Sequence, residues 1–310
     1  MSRLLPIAAV LSSFVACGGS ETSDTVEISA TSRGGERPPA FVGGEPRLLS
    51  PGTGNRARLR YVIPEGDEER FGMQLILGVT AGMGDTTTFV ESPPIAFEIE
   101  VGPIRHRPDG RYRYDLEIQS VDLVLPEGTP DEIREALSSE VAQMGRIEGW
   151  IEVDDRGITR DVHGTTPTGV PPRTQTMLGN IRSALQSIPL PEDPVGIGAR
   201  WEVRRVVDHQ THEVDQVVTY ELLDLVGTRG ELRITVEQSA EPQPLHNLPD
   251  GGEANLDTYV GQGSGGAIFD LTSVTPVATL SFQSAMHATA PGQGSQLTME
   301  TLTQVVVQPR

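Results

Sequence analysis

The chain has 310 residues and a formal net charge of −19, from 24 basic and 43 acidic side chains. All the basic residues are arginines, which excludes a lysine nucleophile, pyridoxal-phosphate chemistry and a P-loop, because each of these needs a lysine. The acidic balance argues against nucleic acid as a partner, since affinity for phosphates comes from cationic side chains. The 34 glycines and 24 prolines predict a chain rich in turns.

The chain opens on a short apolar segment, Leu4–Val15, which follows a single arginine. Its twelve residues are too few to cross about 30 Å of hydrocarbon as a helix, so the segment predicts an export signal instead of a membrane span. Ala16 then precedes Cys17, the only cysteine of the chain. The stretch Phe14–Cys17 resembles the lipobox of bacterial lipoproteins, although Phe14 stands where leucine is usual.

This resemblance implies that residues 1–16 are a signal peptide and that Cys17 becomes the lipidated first residue of the mature chain. Acyl chains on Cys17 would anchor the protein to a membrane of the cell envelope. Gly18 is not the aspartate that retains some lipoproteins in the inner membrane, so the outer membrane is the expected location. The alternative is an ordinary export signal that is cut elsewhere, in which case Cys17 has no role.

Residues 17–55 are dominated by Gly, Ser, Thr, Pro and Glu and show no sustained apolar period. This composition predicts a disordered tether between the lipid and a folded domain. A short strand at Phe41–Val42 or Leu48–Leu49 is an alternative within it. Residues 56–310 are enough for a single antiparallel β domain, or for two domains that divide near the prolines at 189–194.

From Arg56 onward, apolar and polar residues alternate over many short runs. The clearest runs are 71–79, 95–101 and 112–118, and turn sequences such as Pro108-Asp109-Gly110 separate runs of this kind. A period of two with one polar face is typical of strands in antiparallel sheets, because parallel sheets are usually covered on both faces. The sequence therefore predicts a meander of about eleven strands joined mostly by hairpins.

Two segments have a helical period instead. Thr129-Pro130-Asp131-Glu132 has the sequence of a capped helix start, and an apolar stripe follows it, which predicts a helix over residues 130–145. A second stripe, Met177 to Ile188, predicts a helix over residues 174–188 that ends at Pro189. The expected fold is mainly β with a few helices (α+β): a large curved antiparallel sheet or open barrel covered by two amphipathic helices.

The segment Pro189–Val203 lies where the second predicted helix meets the next strand. It is similar to a junction found in a group of uncharacterised bacterial lipoproteins. The layout as a whole resembles the lipoprotein-carrier fold of the LolA and LppX type, which is an open barrel closed by helices around an apolar cavity. The resemblance implies a protein that carries an apolar ligand or lipid.

Two short motifs carry alternative chemistry. Gly261–Gly266 satisfies the GxGxxG spacing, but a predicted strand follows it where a dinucleotide site needs a helix, so it predicts a glycine-rich hairpin or bulge. His209 and His212 are the candidate metal ligands, because histidine suits zinc and similar metals. They lie between two predicted strands and lack a third histidine nearby, which favours an exposed polar loop.

The sequence contains no recognisable nucleophile with its base, no metal triad and no phosphate loop, so we expect neither a catalytic activity nor a cofactor. The expected function is that of a lipid-anchored envelope protein that binds an apolar ligand or lipid under helical lids. The alternatives are an envelope scaffold that binds a partner protein and, third, a secreted hydrolase. The residues predicted to line the cavity are Phe71, Leu75, Phe97, Ile99, Tyr112, Tyr114 and Leu116, with Leu137, Val141, Met177 and Ile181 as lids, unless they simply form the core.

Overall fold

The computed structural model shows a protein built almost entirely from β-strands. It describes residues 25–29, 44–84, 86–132, 134–135, 147–167, 186–209, 211–246, 248, 252–290 and 296–310. The strands within these ranges are β1 (Thr25–Ser29), β2 (Arg47–Ser50), β3 (Thr53–Ala57), β4 (Glu69–Met83), β5 (Thr86–Glu91), β6 (Ile95–Val101), β7 (Arg105–His106), β8 (Tyr112–Leu123), β9 (Ile147–Val153), β10 (Thr159–Pro167), β11 (Val195–Ile197), β12 (Arg200–Asp208), β13 (Glu213–Val226), β14 (Arg229–Ala240), β15 (Gln243–Leu245), β16 (Ala254–Asp270), β17 (Val277–Thr289) and β18 (Gln296–Pro309).

One 16-stranded sheet dominates the described part of the chain. Its strands lie side by side in the order β1-β10-β9-β8-β6-β4-β18-β17-β16-β14-β13-β12-β2, with β5, β7 and β15 paired beside this path. β3 and β11 form a separate two-stranded sheet. The described strand pairs are antiparallel, as the alternating pattern predicted.

The sheet consists of two runs of neighbouring strands that meet at β4 and β18. The first run leads from β4 through β6, β8 and β9 to β10, and the second leads from β12 through β13, β14, β16 and β17 to β18. β4 and β18 pair along nearly their whole length, from Phe71 opposite Pro309 to Met83 opposite Leu297. The centre of the sheet is therefore built from strands that lie far apart in the sequence.

The main apolar core lies on one face of this sheet. In β6 the side chains of Ile95, Phe97, Ile99 and Val101 are buried, whereas the residues between them are half-buried. The same buried cluster contains Ile151 on β9 and Trp201 on β12, which lie toward opposite edges of the sheet. Because side chains from both halves share one core, the sheet is strongly curved around it.

Two irregular segments, 58–64 and 186–191, fill the space that the curved sheet encloses. Leu59, Tyr61 and Ile63 of the first segment are buried in the main core, and so are Ile188 and Leu190 of the second. The two segments are joined directly, because the Tyr61 hydroxyl donates a hydrogen bond to the Ile188 carbonyl oxygen at 3.1 Å. Backbone bonds fix both segments to hairpins of the sheet: Tyr61 N to Asp155 O and Leu190 N to Arg156 O.

The prediction of a sheet covered by two amphipathic helices is wrong. Among the described residues, only positions 131–132 and 134–135 are helical, and no helix covers the sheet. The Thr129 hydroxyl does not cap a helix but donates to the Pro126 carbonyl oxygen at 2.7 Å. Most of the two predicted helices, including the lid residues Leu137, Val141, Met177 and Ile181, lies outside the described residues.

The described end of the second predicted helix shows a physical reason for the error. Ile188 was assigned to the apolar stripe of a helix, but it lies in the irregular segment 186–191 and is buried in the core. The residue before a proline is disfavoured in the helical region, and Pro189 follows Ile188 directly. Ile188 is thus buried, as the helical pattern predicted, but in a segment without regular secondary structure.

Strands also occur in the stretch that was expected to be a tether. β1 pairs with β10 at one edge of the sheet, and β2 pairs with β12 at the other edge. β2 includes Leu48 and Leu49, one of the two places where the sequence suggested a short strand. Strands before and after residues 189–194 belong to the same sheet. No helix in the described ranges is long and apolar enough to cross a membrane.

Candidate functional site

The structure brings most of the predicted cavity residues together in the main core. Phe71, Leu75, Phe97, Ile99, Tyr114 and Leu116 all belong to the same buried cluster, and none is more than 5% exposed. A side chain with almost no accessible surface has no water-sized space beside it. Tyr112 is half-buried, and its hydroxyl donates to the Tyr61 carbonyl oxygen at 2.8 Å. In the described residues, these positions form a packed interior.

Burial favours the neutral form of three titratable side chains of the interior. Desolvation raises the pKa values of the Tyr61 and Tyr114 phenols well above the usual range of tyrosine. Desolvation also raises the pKa of the Glu69 carboxyl, whose Oε2 atom is buried and has no hydrogen-bond partner among the described residues. These groups show how costly a charge would be inside the packed core.

The opposite, outer face of the sheet has an unusual composition at its centre. There β16, β17, β18 and β4 are neighbours, and their register places four outward residues of each strand in four straight rows. Glu300 is the one charged residue among these sixteen, whereas 22% of the chain is charged. We call this surface the neutral face; its rows are Val260-Ala285-Glu300-Thr80, Gln262-Gln283-Leu302-Gly78, Ser264-Ser281-Gln304-Ile76 and Gly266-Thr279-Val306-Gln74.

A groove of about 540 Å³ crosses the neutral face between its first two rows. Gln262, Gln283 and Leu302 line one side, and Val260 and Glu300 are among the residues that line the other. The groove forms where the side chains are small or absent, because the two rows also contain a glycine and an alanine. Its walls combine amide groups with aliphatic carbon, so it offers both hydrogen bonds and apolar contact.

Two large apolar side chains project at the margins of the neutral face. Val260 is 58% exposed, and Phe89 of the neighbouring strand β5 is 63% exposed. The Phe89 ring lies beside the bare Cα of Gly78, where an added Cβ would be 3.6 Å from the ring atom Cε2. These two side chains add apolar surface at the margins of the neutral face.

Charged residues return on both sides of the neutral face. On β13 and β14, Arg233 pairs with Glu221 at 2.8 Å. On the other side, β4 and β6 carry the pair Arg70–Glu100 at 3.4 Å. These cross-strand ion pairs lie on outward faces of the sheet. The neutral face is thus a distinct area with charged borders.

The glycine motif supports the neutral face from below. Residues 261–266 are not a hairpin or bulge but the middle of β16, paired with β14 and β17 on its two sides. A Cβ added at Gly263 would lie 2.8 Å from Cδ2 of Phe282, so the aromatic ring covers the glycine on the core side. The absence of side chains here lets Phe282 pack directly on the backbone.

His209 and His212 lie in the turn between β12 and β13, as the sequence predicted, but they are not in an exposed loop. His212 is only 6% exposed, and the ring centroids of the two histidines are 5.3 Å apart. Tyr259 of β16 contacts both rings, with centroid distances of 6.0 and 5.1 Å. Burial lowers the pKa of both imidazoles, that of His212 to about 4, and so favours their neutral forms. Within the described ranges, no three His, Cys, Asp or Glu side chains are grouped to hold a metal ion.

Sequence reasoning did not single out the neutral face. Its signal was present as outward strand positions occupied by Gln, Ser, Thr and Gly instead of Arg and Glu. Each strand shows this only weakly, however, and the four strands become one surface only through the pairing of β4 with β18. Cys17, the predicted lipidation site, lies outside the described residues.

Comparison with known proteins adds little. No protein-family model matches the chain, and no characterised protein matches it in sequence. One solved structure, that of a DUF3598-family protein of unknown function from Nostoc punctiforme, aligns with 8% identity. The alignment covers 74% of this chain and 94% of the other, but its TM-score is 0.10, so it supports no conclusion about fold or function.

Proposed function

We propose that the protein is a lipid-anchored, non-catalytic component of the cell envelope that binds a partner protein through the neutral face. The lipid anchor rests on the lipobox-like residues Phe14–Cys17. The binding role rests on one observation above all: in a chain with net charge −19, four adjacent strands present an almost uncharged, grooved surface. The location in the envelope, with the outer membrane preferred, follows from the anchor.

The composition of the neutral face favours a protein partner. The centres of protein interfaces are depleted in charge, because burying an ion costs more than a typical contact returns. With strands about 4.8 Å apart and same-face residues about 6.8 Å apart, the four rows cover about 500 Å². An interface of that size per partner falls below the standard range and predicts a reversible complex.

The packed interior favours this scaffold role over the carrier role. The predicted cavity side chains show almost no accessible surface, so the described core has no space for a lipid beside them. A carrier would need the sheet to open and break the bond between Tyr61 and Ile188. The neutral face needs no rearrangement to receive a partner.

The anchor is tested by replacing Cys17 with serine in the producing bacterium. We expect radiolabelled palmitate to enter the wild-type protein and not the variant, and the variant to leave the membrane fraction. Palmitate incorporation that persists in Cys17→Ser would rule out lipidation at this residue.

Binding is tested by placing a photo-crosslinking amino acid at Gln283 in living cells. Val226, a 71% exposed residue at the end of β13, serves as the control position. We expect a discrete adduct with another protein from position 283, none from position 226, and loss of the adduct when Leu302 is changed to arginine. Equal adducts from both positions, no adduct, or an adduct of two copies of this chain would contradict the proposal.

A further inference from the structure

The turn between β12 and β13 holds two imidazole rings in a fixed arrangement. The backbone N–H of His209 donates to the carbonyl oxygen of His212 at 2.9 Å, which closes the turn. A second backbone bond, from His246 N to Thr211 O at 2.9 Å, fixes the turn to the chain after β15. The two rings are stacked, with centroids 5.3 Å apart and an interplanar angle of 28°.

Both histidines present the same nitrogen without a partner. The Nε2 atoms of His209 and His212 are shielded from solvent, and neither has a hydrogen bond within the described part of the chain. A buried polar atom without a partner costs about 1–3 kcal/mol, and buried polar atoms in native proteins are nearly always satisfied. The two atoms belong to rings whose centroids are 5.3 Å apart, so one shared ligand is a candidate partner for both.

The surroundings of His212 leave Nε2 as its free ring nitrogen. Its Nδ1 atom lies 2.9 Å from the Thr211 hydroxyl oxygen. When Nδ1 carries the proton and donates to this oxygen, Nε2 keeps its lone pair, as in the second-shell bonds that orient metal-binding histidines. Tyr259 cannot supply the missing hydrogen bond, because its hydroxyl donates to Gln238 Oε1 at 2.8 Å.

We propose that Nε2 of His209 and Nε2 of His212 supply two of the ligands of one borderline transition-metal ion, such as Zn²⁺. Neutral imidazole is a preferred ligand of zinc, at a Zn–N distance of about 2.0 Å. The ion would join the end of β12 to the start of β13 across the turn, beside the Tyr259 ring of β16. The site lies on the core side of the sheet, away from the neutral face, and does not depend on partner binding.

The experiment is a Zn²⁺ titration of the full-length chain by calorimetry, with Zn absorption spectroscopy of the wild-type complex. We expect one saturable site, and a spectrum that shows two imidazole nitrogens in the first shell. His209→Ala and His212→Ala should each weaken binding by more than about tenfold, and Thr211→Ala by about tenfold. His246→Ala and His287→Ala, which remove exposed histidines, are the controls and should leave affinity unchanged.

Three results would overturn the proposal: no saturable uptake by the wild-type chain, one imidazole or none in the spectrum, or affinity that both ligand variants retain. The spectrum is measured on the wild-type protein and so needs no variant to fold. Weakening by His246→Ala or His287→Ala to the same degree would show that zinc binds exposed histidines instead.

Discussion

The indole Nε1 of Trp201 donates a hydrogen bond to the carbonyl oxygen of Pro189 at 2.8 Å. Trp201 has no accessible surface, and its ring stacks on Tyr220 with centroids 5.6 Å apart. This bond joins the irregular segment 186–191 to β12. The Trp201 side chain thus fills the core and also donates a hydrogen bond to a backbone carbonyl of segment 186–191, which is not a strand of the sheet.

Trp201→Phe should lower the free energy of unfolding by about 2–4 kcal/mol, because it leaves a void and removes the bond to Pro189. Urea denaturation followed by circular dichroism measures the change. Trp150→Phe is the matched control. Trp150 is half-exposed and lies under the Arg113 guanidinium, so its loss should cost less than about 1 kcal/mol. Equal losses in the two variants would contradict the role of Trp201.

Gly265 and Gly266 are neighbours on β16 with opposite tolerance for a side chain. A Cβ at Gly265 would collide with the Thr279 carbonyl oxygen, whereas a Cβ at Gly266 would meet nothing nearer than the Leu232 carbonyl oxygen at 3.5 Å. We expect Gly265→Ala to destabilise the fold by about 1–3 kcal/mol, and Gly266→Ala to be neutral or stabilising. Thermal unfolding of the two variants checks this, and the reverse order would show that the register of β16 and β17 is different.

The free energy of unfolding of the Glu69→Gln variant should increase, relative to that of the wild type, as pH rises. Burial holds the pKa of Glu69 above its unfolded value, so the folded state retains a proton that the unfolded state releases. The wild type therefore loses free energy of unfolding above the pKa that Glu69 has in the unfolded state. The loss grows until the pH passes the pKa of Glu69 in the folded state. Free energies of unfolding measured for both proteins at about pH 4 and about pH 8 test this. A difference that is constant or shrinks with pH would contradict it.

Tyr61→Phe should cost about 1 kcal/mol, because it removes one buried hydrogen bond and leaves the Ile188 carbonyl oxygen unpaired. Tyr112→Phe also removes one tyrosine hydrogen bond, but Tyr112 is half-buried, so water can replace its hydroxyl and the loss should be smaller. Denaturation midpoints of the two variants give the comparison. A larger loss for Tyr112→Phe would show that segments 58–64 and 186–191 are not held by the Tyr61 bond.

The period of two in the sequence located the strands because one face of each strand is buried. β6 and β8 match their predicted runs closely, and so does the antiparallel arrangement. The glycines at 261–266 were assigned to a turn because a residue without a side chain cannot show alternation. The aromatic ring that packs on these glycines belongs to Phe282, which lies on the next strand.

The positions of the functional candidates depended on contacts that local patterns do not contain. His212 looked like a loop residue, but Tyr259, which lies on β16, brings it into a buried cluster. Likewise, Ile188 showed the spacing of a helix, yet its contact with Tyr61 decides its environment. The sequence of each strand shows its lack of outward charge, whereas no single strand predicts that the four assemble into the neutral face.

The pairing of β4 with β18 also sets an order of events while the chain is made. A ribosome releases β4 more than 200 residues before β18, so the strand that must lie beside Phe71 is absent when β4 emerges. Until then, β4 keeps an open edge, and such edges readily pair with other chains. We expect the nascent protein to need a holding chaperone until β18 is available.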